Sequence, residues 1–413
     1  MKKNVLKAYA RLIAKCGVNI QKDQEVIITA ELDQPEFVRI LTKECYKLGA
    51  KKVTIVWDDQ KISKIHNKYQ SVQTMSKVEK WEEERLQHYV DVLPCRIYLE
   101  SADPDGLNGI DQEKIQKSSQ AKYPVVKKYR DQMENKYQWC IAAVPSIAWA
   151  QKLFPELPKM KAEAKLWQAI LQTSRVVLQN GQLDDPIAAW DKHNKDLAQR
   201  CAYLNSLGIQ SLHYQADNGT DLTVGLMDKS RFCGGGETSL QNIFFNPNIP
   251  SEECFTSPKR GCADGIVYAT KPLSYRGQLI NNFHIRFQNG RAVEWDAETN
   301  PDLLTKIIEM DEGSHYLGEC ALVPLDSPIS NSGLLFYNTL FDENAACHLA
   351  LGRGFPDCVE SFETMSLDEI RELGVNDSMA HVDFMIGCPS MNITAKCKDG
   401  SEVPIFTNGN WAF

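Results

Sequence analysis

Histidines and acidic residues recur in four short segments of the C-terminal part of the chain, in a pattern that indicates a metal site. Two imidazoles and up to four carboxylates can hold a pair of divalent cations. Without thiolates, these donors suit Zn²⁺, Co²⁺ or Mn²⁺, and Mg²⁺ is also compatible. Two such ions about 3.5–4 Å apart can activate water and polarise a carbonyl, which is hydrolytic chemistry. The candidates are Glu253 in NIPSEECFTSP, Glu319 in YLGECALVP, Glu343 and His348 in FDENAACHLALGRGFP, and His381 and Asp383 in MAHVDFMIG.

The most distinctive local motif is the pair His381 and Asp383. If HVDFMIG is a strand, alternation puts both side chains on one face and Val382, Phe384 and Ile386 on the other. A buried imidazole and carboxylate at this spacing can ligate one cation, or the carboxylate can bridge two. Taken alone, such a pair is weak support for a metal site.

Two further glutamates differ in how strongly their surroundings favour a functional role. Glu319 interrupts an apolar run from Leu317 to Val323, and a carboxylate there is costly to bury unless it is paired or metal-bound. Glu253 follows a Pro-Asn-Ile-Pro loop, and chemistry alone does not choose between it and its neighbour Glu252.

The segment FDENAACHLAL (residues 341–351) predicts a helix in which His348 shares a face with Asn344. Glu343 would then lie about 140° around that helix from His348. It would reach the same site only from the helix end, or serve a second cation. In the alternative interpretation, Glu343 belongs to a polar N-terminal turn.

The elements around these residues predict two domains. In the first half, strand-like segments alternate with helical ones, which favours βαβ units and a largely parallel sheet. We predict an α/β domain over residues 1–207 that acts as scaffold or substrate-side wall. Its strands are Glu25–Leu32, Lys52–Trp57, Arg96–Leu99 and Gln138–Val144, and helices are expected after Gln34 and over Lys159–Val177 and Pro186–Leu207.

After Gly208 the turn signals Asp217-Asn218-Gly219, Asn289-Gly290 and Asp399-Gly400 predict hairpins. We therefore predict an α+β domain over residues 208–413, with antiparallel strands that carry the metal site.

Several classes of function are disfavoured. The chain has no glycine-rich phosphate loop, and the glycine run Cys233–Gly236 indicates a flexible loop. HExxH and GxSxG are absent, and the net charge of −8 argues against nucleic-acid binding. The 13 scattered cysteines contain no CxxC and fit a reducing compartment. With no signal peptide and no apolar stretch of about 20 residues, we expect a cytoplasmic protein that does not bind membranes.

The four segments, in this order and spacing, resemble the metallo-aminopeptidase family that includes aminopeptidase T, aminopeptidase S and PepS-type members. The resemblance covers essentially the full length and is densest in residues 240–390. It implies release of N-terminal residues from peptides with a free N-terminus, by two divalent cations per subunit in a homodimer. Carried over by motif, the ligands are Glu253 (rather than Glu252), Glu319, His348, His381 and Asp383, with Glu343 as a further ligand or a supporting carboxylate.

The resemblance also implies catalytic roles, and the chain departs from the family pattern at one residue. Glu319 or Glu343 would accept and donate the proton. The family usually has a tyrosine seven residues after the histidine that matches His348, and this chain has Phe355. Tyr337 is one candidate to supply the missing hydroxyl. The alternatives are a peptide-binding protein that has lost catalysis, or a metallohydrolase of another amide or ester.

Overall fold

The structure, a computed structural model, describes residues 2–179 and 182–413. Helices and strands alternate in the first half of the chain, and strands dominate the second half. The α-helices of the described residues are α1 (Lys3–Leu12), α2 (Pro35–Lys47), α3 (Gln60–Tyr69), α4 (Val72–Met75), α5 (Lys80–Val92), α6 (Gln112–Met133), α7 (Ile147–Leu153), α8 (Lys159–Thr173), α9 (Pro186–Ser206), α10 (Pro301–Ile308), α11 (Pro328–Asn331), α12 (Thr339–Asp342) and α13 (Leu367–Leu373).

The strands range from two residues to eleven. They are β1 (Glu25–Glu31), β2 (Lys52–Asp58), β3 (Cys95–Glu100), β4 (Trp139–Ala143), β5 (Leu178–Gln179), β6 (Gln182–Leu183), β7 (Ile209–Gln215), β8 (Asp221–Leu226), β9 (Cys233–Gly234), β10 (Glu237–Thr238), β11 (Phe244–Phe245), β12 (Asn248–Ile249), β13 (Cys254–Thr256), β14 (Pro258–Tyr268), β15 (Leu273–Tyr275), β16 (Gln278–Gln288), β17 (Arg291–Thr299), β18 (Leu317–Leu322), β19 (His348–Gly352), β20 (His381–Met385), β21 (Asn392–Cys397), β22 (Glu402–Thr407) and β23 (Asn410–Trp411).

The chain forms two compact units. The first comprises Met1–Lys195 and Gly236–Ser251, and the second comprises Asp196–Gly235 and Glu252–Phe413. The boundary at 207/208 lies inside the second unit's first segment, and it stays a prediction about the domains.

The first unit is built on a parallel five-stranded sheet in the order β12-β4-β3-β1-β2. The predicted α/β architecture is therefore confirmed. β1 is rich in β-branched residues and has a strand on each side, and its residues Val26 and Ile28 are fully buried. α2 begins at Pro35, where the missing N–H costs nothing, and the chain reverses at Gly49, whose φ of +100° suits glycine.

The second unit contains a nine-stranded and a five-stranded antiparallel sheet. The nine-stranded sheet runs β15-β16-β14-β8-β7-β21-β22-β23, with β17 on β16, and the five-stranded sheet runs β20-β19-β18-β13-β9. The three predicted hairpins are confirmed as β7–β8, β16–β17 and β21–β22. Side chains from both sheets join one apolar core, which buries one face of each.

Candidate metal centre

Four of the six predicted metal-binding side chains lie on one face of the five-stranded sheet, namely Glu319, His348, His381 and Asp383. Ala350 of β19 lies between Glu319 of β18 and Asp383 of β20, each being its direct cross-strand partner. Directly opposite residues on antiparallel strands share a face, so these carboxylates flank a small side chain. In the same way Gly352 is opposite His381. Alanine and glycine between the polar residues leave room for a ligand on this face.

The opposite face of these strands is apolar and fixes their register. Cys320, Leu349, Val382 and Phe384 all belong to the buried core of the second unit. A slip of one residue would move these side chains out of the core and the polar ones into it. The predicted strand at His381, with alternating faces, is therefore confirmed.

The helix predicted over residues 341–351 is wrong. α12 ends at Asp342, a 3₁₀ turn covers Glu343–Ala345, and Ala346 is extended with φ −164° and ψ 165°. His348 then opens β19, which pairs with a strand on each side. Two ladders of backbone hydrogen bonds outweigh the weak helical preference of this segment.

The side chains converge into two groups of three. The ligand atoms of Glu253, Glu319 and His348 lie within 4.8 Å of one another, and so do those of Glu319, His381 and Asp383. Glu319 belongs to both groups. The Nε2 atom of His348 lies 3.3 Å from Glu253 Oε2, and that of His381 lies 3.2 Å from both Glu319 Oε2 and Asp383 Oδ1.

Backbone carbonyls orient both imidazoles. His381 Nδ1 lies 2.7 Å from the carbonyl oxygen of Arg353, and His348 Nδ1 lies 3.3 Å from that of Ala346. A carbonyl oxygen only accepts, so each Nδ1 carries the proton and donates it. Each Nε2 is thereby directed at the carboxylates, as in histidine ligands whose other nitrogen is hydrogen-bonded.

Glu343 is buried beside these groups but belongs to neither of them. Its neighbour Asn344 is fully buried and links two parts of the centre. Asn344 Oδ1 accepts a hydrogen bond from the backbone N–H of Glu252 at 2.6 Å, which anchors the loop that leads to Glu253. Asn344 Nδ2 donates to the carbonyl of Leu340 at 3.0 Å and to Glu343 Oε1 at 3.4 Å. This role is not apparent from the sequence, whose pattern predicts a helix at Asn344.

Burial and mutual repulsion dominate the electrostatics of the carboxylates. Burial, with a contribution from Glu253, raises the pKa of Glu319 to about 7, although His381 opposes the shift. Burial and the charges of Asp383 and Glu253 likewise raise the pKa of Glu343 well above its ordinary value.

The histidines and Asp383 stabilise one another's charged forms. Burial disfavours the charge on His348, yet the hydrogen bond with Glu253 and the surrounding carboxylates raise its pKa to about 10. The pKa of His381 is also raised against the effect of burial, chiefly by Asp383 and Glu319. Burial would raise the pKa of Asp383, but the charge of His381 lowers it. The centre therefore holds excess negative charge that only protons or cations can balance.

The donor set fits divalent cations. Asp383 Oδ1 is buried and receives no hydrogen bond within the described residues, apart from its ion-pair contact with His381. Such an oxygen is costly to bury without a partner. Two fixed imidazoles, converging carboxylates and no thiolate in either group match the preferences of Zn²⁺, Co²⁺ and Mn²⁺.

Phe355 borders the centre, as its position in the sequence suggested. Its ring packs against the imidazole of His381, with centroids 5.0 Å apart, and against Phe255 at 5.4 Å. Ser257 Oγ holds this segment by accepting a hydrogen bond from the Phe355 N–H at 2.7 Å. Tyr337 is half-buried outside both groups of ligand atoms, and its catalytic role stays a prediction.

The glycine run predicted as a flexible loop also contributes to the centre. Cys233–Gly234 forms β9 and pairs with β13, directly after Glu253. A Cβ atom on Gly234 would lie 2.5 Å from the carbonyl oxygen of Glu253. Only glycine permits this approach, so at this residue the prediction of a flexible loop is wrong.

Comparison with known proteins gives a consistent result over the whole chain. The sequence profile of the family described as thermophilic metalloprotease (M29) matches residues 2–411. Aminopeptidase AmpS of Bacillus subtilis (strain 168) is 41% identical over 409 residues, covering 99% of this chain and 98% of that protein. Aminopeptidase 2 of Geobacillus stearothermophilus is 40% identical with the same coverage. The solved structure of wild-type AmpT from Thermus thermophilus matches with a TM-score of 0.87 and 35% identity, covering 100% of both chains.

Proposed function

The chain belongs to the thermophilic metalloprotease family M29, and on that premise we propose that it is an aminopeptidase with a two-cation centre. The resemblance predicted from the sequence is confirmed over essentially the whole length. Relatives that match end to end are named aminopeptidases, which supports a hydrolase that removes N-terminal residues from peptides. The family and the converging ligand groups support the use of a divalent metal.

The sharing of Glu319 between two ligand groups supports a pair of cations. In this proposal Glu253, Glu319 and His348 would hold one cation, and Glu319, His381 and Asp383 would hold the other. A glutamate has two carboxylate oxygens, so Glu319 could be a donor in both groups. We propose Zn²⁺, Co²⁺ or Mn²⁺, which accept imidazole with carboxylate, and Mg²⁺ is the least suited.

When bound, such cations supply Lewis acidity that polarises a carbonyl and lowers the pKa of a water molecule. The protein must then provide a proton acceptor near that water. Glu319 is shared by both ligand groups, so proton uptake there would compete with cation binding. Glu343 is buried beside both groups without belonging to either, and we assign it the proton transfer. Tyr337 remains a further candidate for this role.

The negative charge of the surplus carboxylates also favours binding of the N-terminal end of a peptide. A free α-ammonium group is attracted to the negative centre, whereas a blocked N-terminus is not. Holding that ammonium beside the carboxylates would place the first peptide bond at the cations and enforce exopeptidase cleavage.

We further propose a cytoplasmic homodimer. The thirteen cysteines are free, and most are buried, which suits a reducing compartment. Among the described residues, no helix is long and apolar enough to cross a membrane. The homodimer follows from the resemblance to the family.

The proposal is tested by removing the metal from the full-length protein with a chelator and restoring it. Bound metal is counted by elemental analysis after reconstitution with Zn²⁺, Co²⁺, Mn²⁺ or Mg²⁺ separately. Activity is measured on an aminoacyl anilide and on its N-acetylated counterpart. We expect loss of activity without metal, recovery with two equivalents per chain, and no cleavage of the acetylated substrate.

Each departure from this result removes a different part of the proposal. Full activity in metal-free protein would refute metal dependence. Saturation of metal and activity at one equivalent would refute the pair of cations. Cleavage of the acetylated substrate would support a metallohydrolase of other amides instead.

A further inference from the structure

A cleft of about 620 Å³ lies at the carboxyl edge of the parallel sheet in the first unit. Its walls come from the segments that follow β1 and β4 and from the start of α8. All of its lining residues belong to the first unit, and none of them is a candidate metal ligand. A cleft of this volume can hold a small molecule.

The strand order places this cleft where α/β folds commonly bind ligands. From β1 the chain passes to β2 on one side, and it then returns to β3 on the other side of β1. Connections that leave in opposite directions open a crevice at the carboxyl ends of the two strands. Asp33, just after β1, accepts a hydrogen bond at 3.3 Å from Ser101 Oγ, just after β3. The carboxylate of Asp33 therefore lies at this crevice.

Two buried polar side chains of the lining hold its segments in place. Gln34 is 8% exposed, and its Nε2 donates to the carbonyl of Pro145 at 3.1 Å, which joins the segments after β1 and β4. Ser146 is 4% exposed, and its Oγ accepts from the N–H of Trp149 at 3.1 Å, which caps α7. Because these segments are already fixed, a ligand loses less affinity to the ordering of the protein.

The charged side chains that line the cleft are of both signs. Lys159 and Glu163 are four residues apart on α8, so they lie on one face of the helix. Within the part of the chain that the structure describes, neither forms an ion pair or a side-chain hydrogen bond. Burial, with a contribution from Asp33, raises the pKa of Glu163, so the two carboxylates lie near each other. The cleft therefore presents two carboxylates and, one helical turn away, an ammonium group.

Apolar side chains form another part of the lining. Pro145 is buried, whereas Ile147 and Ala148 at the start of α7 are exposed, Ile147 by 41%. Covering such a side chain is favourable by about 25 cal/mol per Å² of apolar surface. The cleft thus offers an apolar contact beside charges of both signs.

We propose that this cleft binds a small zwitterion of the α-amino acid class with an apolar side chain. The ammonium group of the ligand pairs with Asp33 and Glu163, its carboxylate pairs with Lys159, and its side chain covers Ile147. A simple cation or a simple anion leaves one sign of charge in the cleft without a partner. A nucleotide brings its phosphates against two carboxylates, which is unfavourable.

Calorimetric titration of the full-length, metal-loaded protein with L-leucine tests the site. We expect Glu163→Gln and Lys159→Gln each to raise the dissociation constant roughly tenfold or more, because each removes one charge-assisted contact. L-Leucinamide lacks the carboxylate and N-acetyl-L-leucine lacks the ammonium group, so each should bind the wild type roughly tenfold or more weakly. Lys161→Gln is the matched control, because Lys161 is an exposed lysine of the same helix that does not line the cleft. It should keep the wild-type dissociation constant.

Glu319→Gln separates the cleft from the metal centre. Binding that persists in Glu319→Gln and weakens in both cleft variants is the expected result. Binding that is lost in Glu319→Gln and kept in the cleft variants would place leucine at the metal centre and overturn the proposal.

Three other results would also overturn it. These are a dissociation constant of the wild type above about 10 mM, unchanged binding in either cleft variant, and equally tight binding of leucine and either of its analogues. Since the heat of binding is the readout, none of these outcomes depends on the proposed peptidase activity.

Discussion

Each unit contains a group of carboxylates in which burial and neighbouring charges raise the pKa of a glutamate, but the two groups differ in the donors that surround them. In the first unit Glu31, Asp58 and Glu100 end three adjacent parallel strands. Burial, together with Asp58 and other nearby carboxylates, raises the pKa of Glu31 to about 7. In the second unit burial, with the charge of Glu253, raises the pKa of Glu319 to the same value.

The two groups of carboxylates differ in the side chains that surround them and in whether their potential ligand atoms converge. The carboxylates of the second unit are buried with two imidazoles whose Nδ1 atoms are held by carbonyls. Those at the strand ends of the first unit are half-exposed or exposed. No three potential ligand atoms of the described part of the first unit converge as they do in the second. Repulsion between carboxylates is therefore not enough to indicate a metal site. Carboxylates and imidazoles that are fixed in place and converge do indicate one.

The largest effect should come from Glu319→Gln, which removes the carboxylate shared by both ligand groups. Loss of several kcal/mol of transition-state stabilisation corresponds to a drop of about a thousandfold in kcat/KM. The bound metal should fall from two equivalents to one or none. Elemental analysis and turnover of an aminoacyl anilide measure the two effects together.

Glu31→Gln is the matched control in the first unit, because the substitution is the same and the starting pKa is similar. It should keep both metal equivalents and wild-type turnover. If Glu319→Gln kept two equivalents with normal activity, the contrast between the two carboxylate groups would carry no functional meaning.

Asn344→Ala should have the next largest effect, because Asn344 positions the candidate ligands without belonging to either ligand group. Removing the hydrogen bonds to Glu252 N–H and Leu340 O should lower metal affinity about 10–100-fold. Turnover should recover at saturating metal, which separates positioning from catalysis. A competition titration against a coloured chelator gives the affinity.

Asn67→Ala removes a buried amide with two backbone hydrogen bonds from the first unit and should leave metal affinity unchanged. Equal losses of affinity in the two variants would mean that general destabilisation, not positioning, explains the Asn344 result.

The parts of the fold that local patterns govern could be predicted from the sequence. β-branched runs separated by helices indicated β1–β4, and Asn-Gly and Asp-Gly turns indicated the hairpins. The cost of burying a lone carboxylate singled out Glu319, which is 4% exposed. These signals act through neighbours in the chain or through burial, both of which a sequence expresses.

The parts that depend on distant pairing could not be predicted. His348 lies in a strand only because β18 and β20 pair with it from either side. Local chemistry could not show whether Glu252 or Glu253 is the candidate ligand. The register of β13 on β18 determines which of the two side chains reaches the other candidate ligands. The carbonyls that orient the imidazoles belong to Arg353 and Ala346, and a backbone atom leaves no signature in the residue type.

Phe355→Tyr tests whether the missing hydroxyl lowers the activity of the enzyme. We expect a smaller effect on turnover than Glu319→Gln has. The added hydroxyl would extend a ring that already packs on His381. Since Glu343 can already carry the proton in this proposal, kcat should change by less than about tenfold, with metal content unchanged. A rise of about a hundredfold, the size of a missing general acid or base, would instead show that the wild type is a catalytically weakened enzyme.

The smallest effect concerns the stability of the first unit. Glu31 is disfavoured as a charge in the folded protein, because burial and the carboxylates of Asp58 and Asp33 raise its pKa from 4.5 to about 7. The folded state therefore binds more protons than the unfolded state between these values, and stability falls as pH rises through that window. Glu31→Gln removes this penalty, so it should match the wild type near pH 4.5 and exceed it above pH 7. Because the side chain is half-exposed and screened, the gain should be below about 1 kcal/mol.

Urea unfolding at several pH values measures the gain, and Glu25→Gln at the other end of β1 is its control. Glu25 lies 3.2 Å from His88 Nε2 instead of among carboxylates, so its replacement should bring no gain at any pH. A loss of stability in Glu31→Gln at neutral pH would mean that the strand-end carboxylates are held by a cation. The carboxylate groups of both units would then be cation sites, because a bound cation makes the ionised carboxylates stabilising where their mutual repulsion is otherwise destabilising.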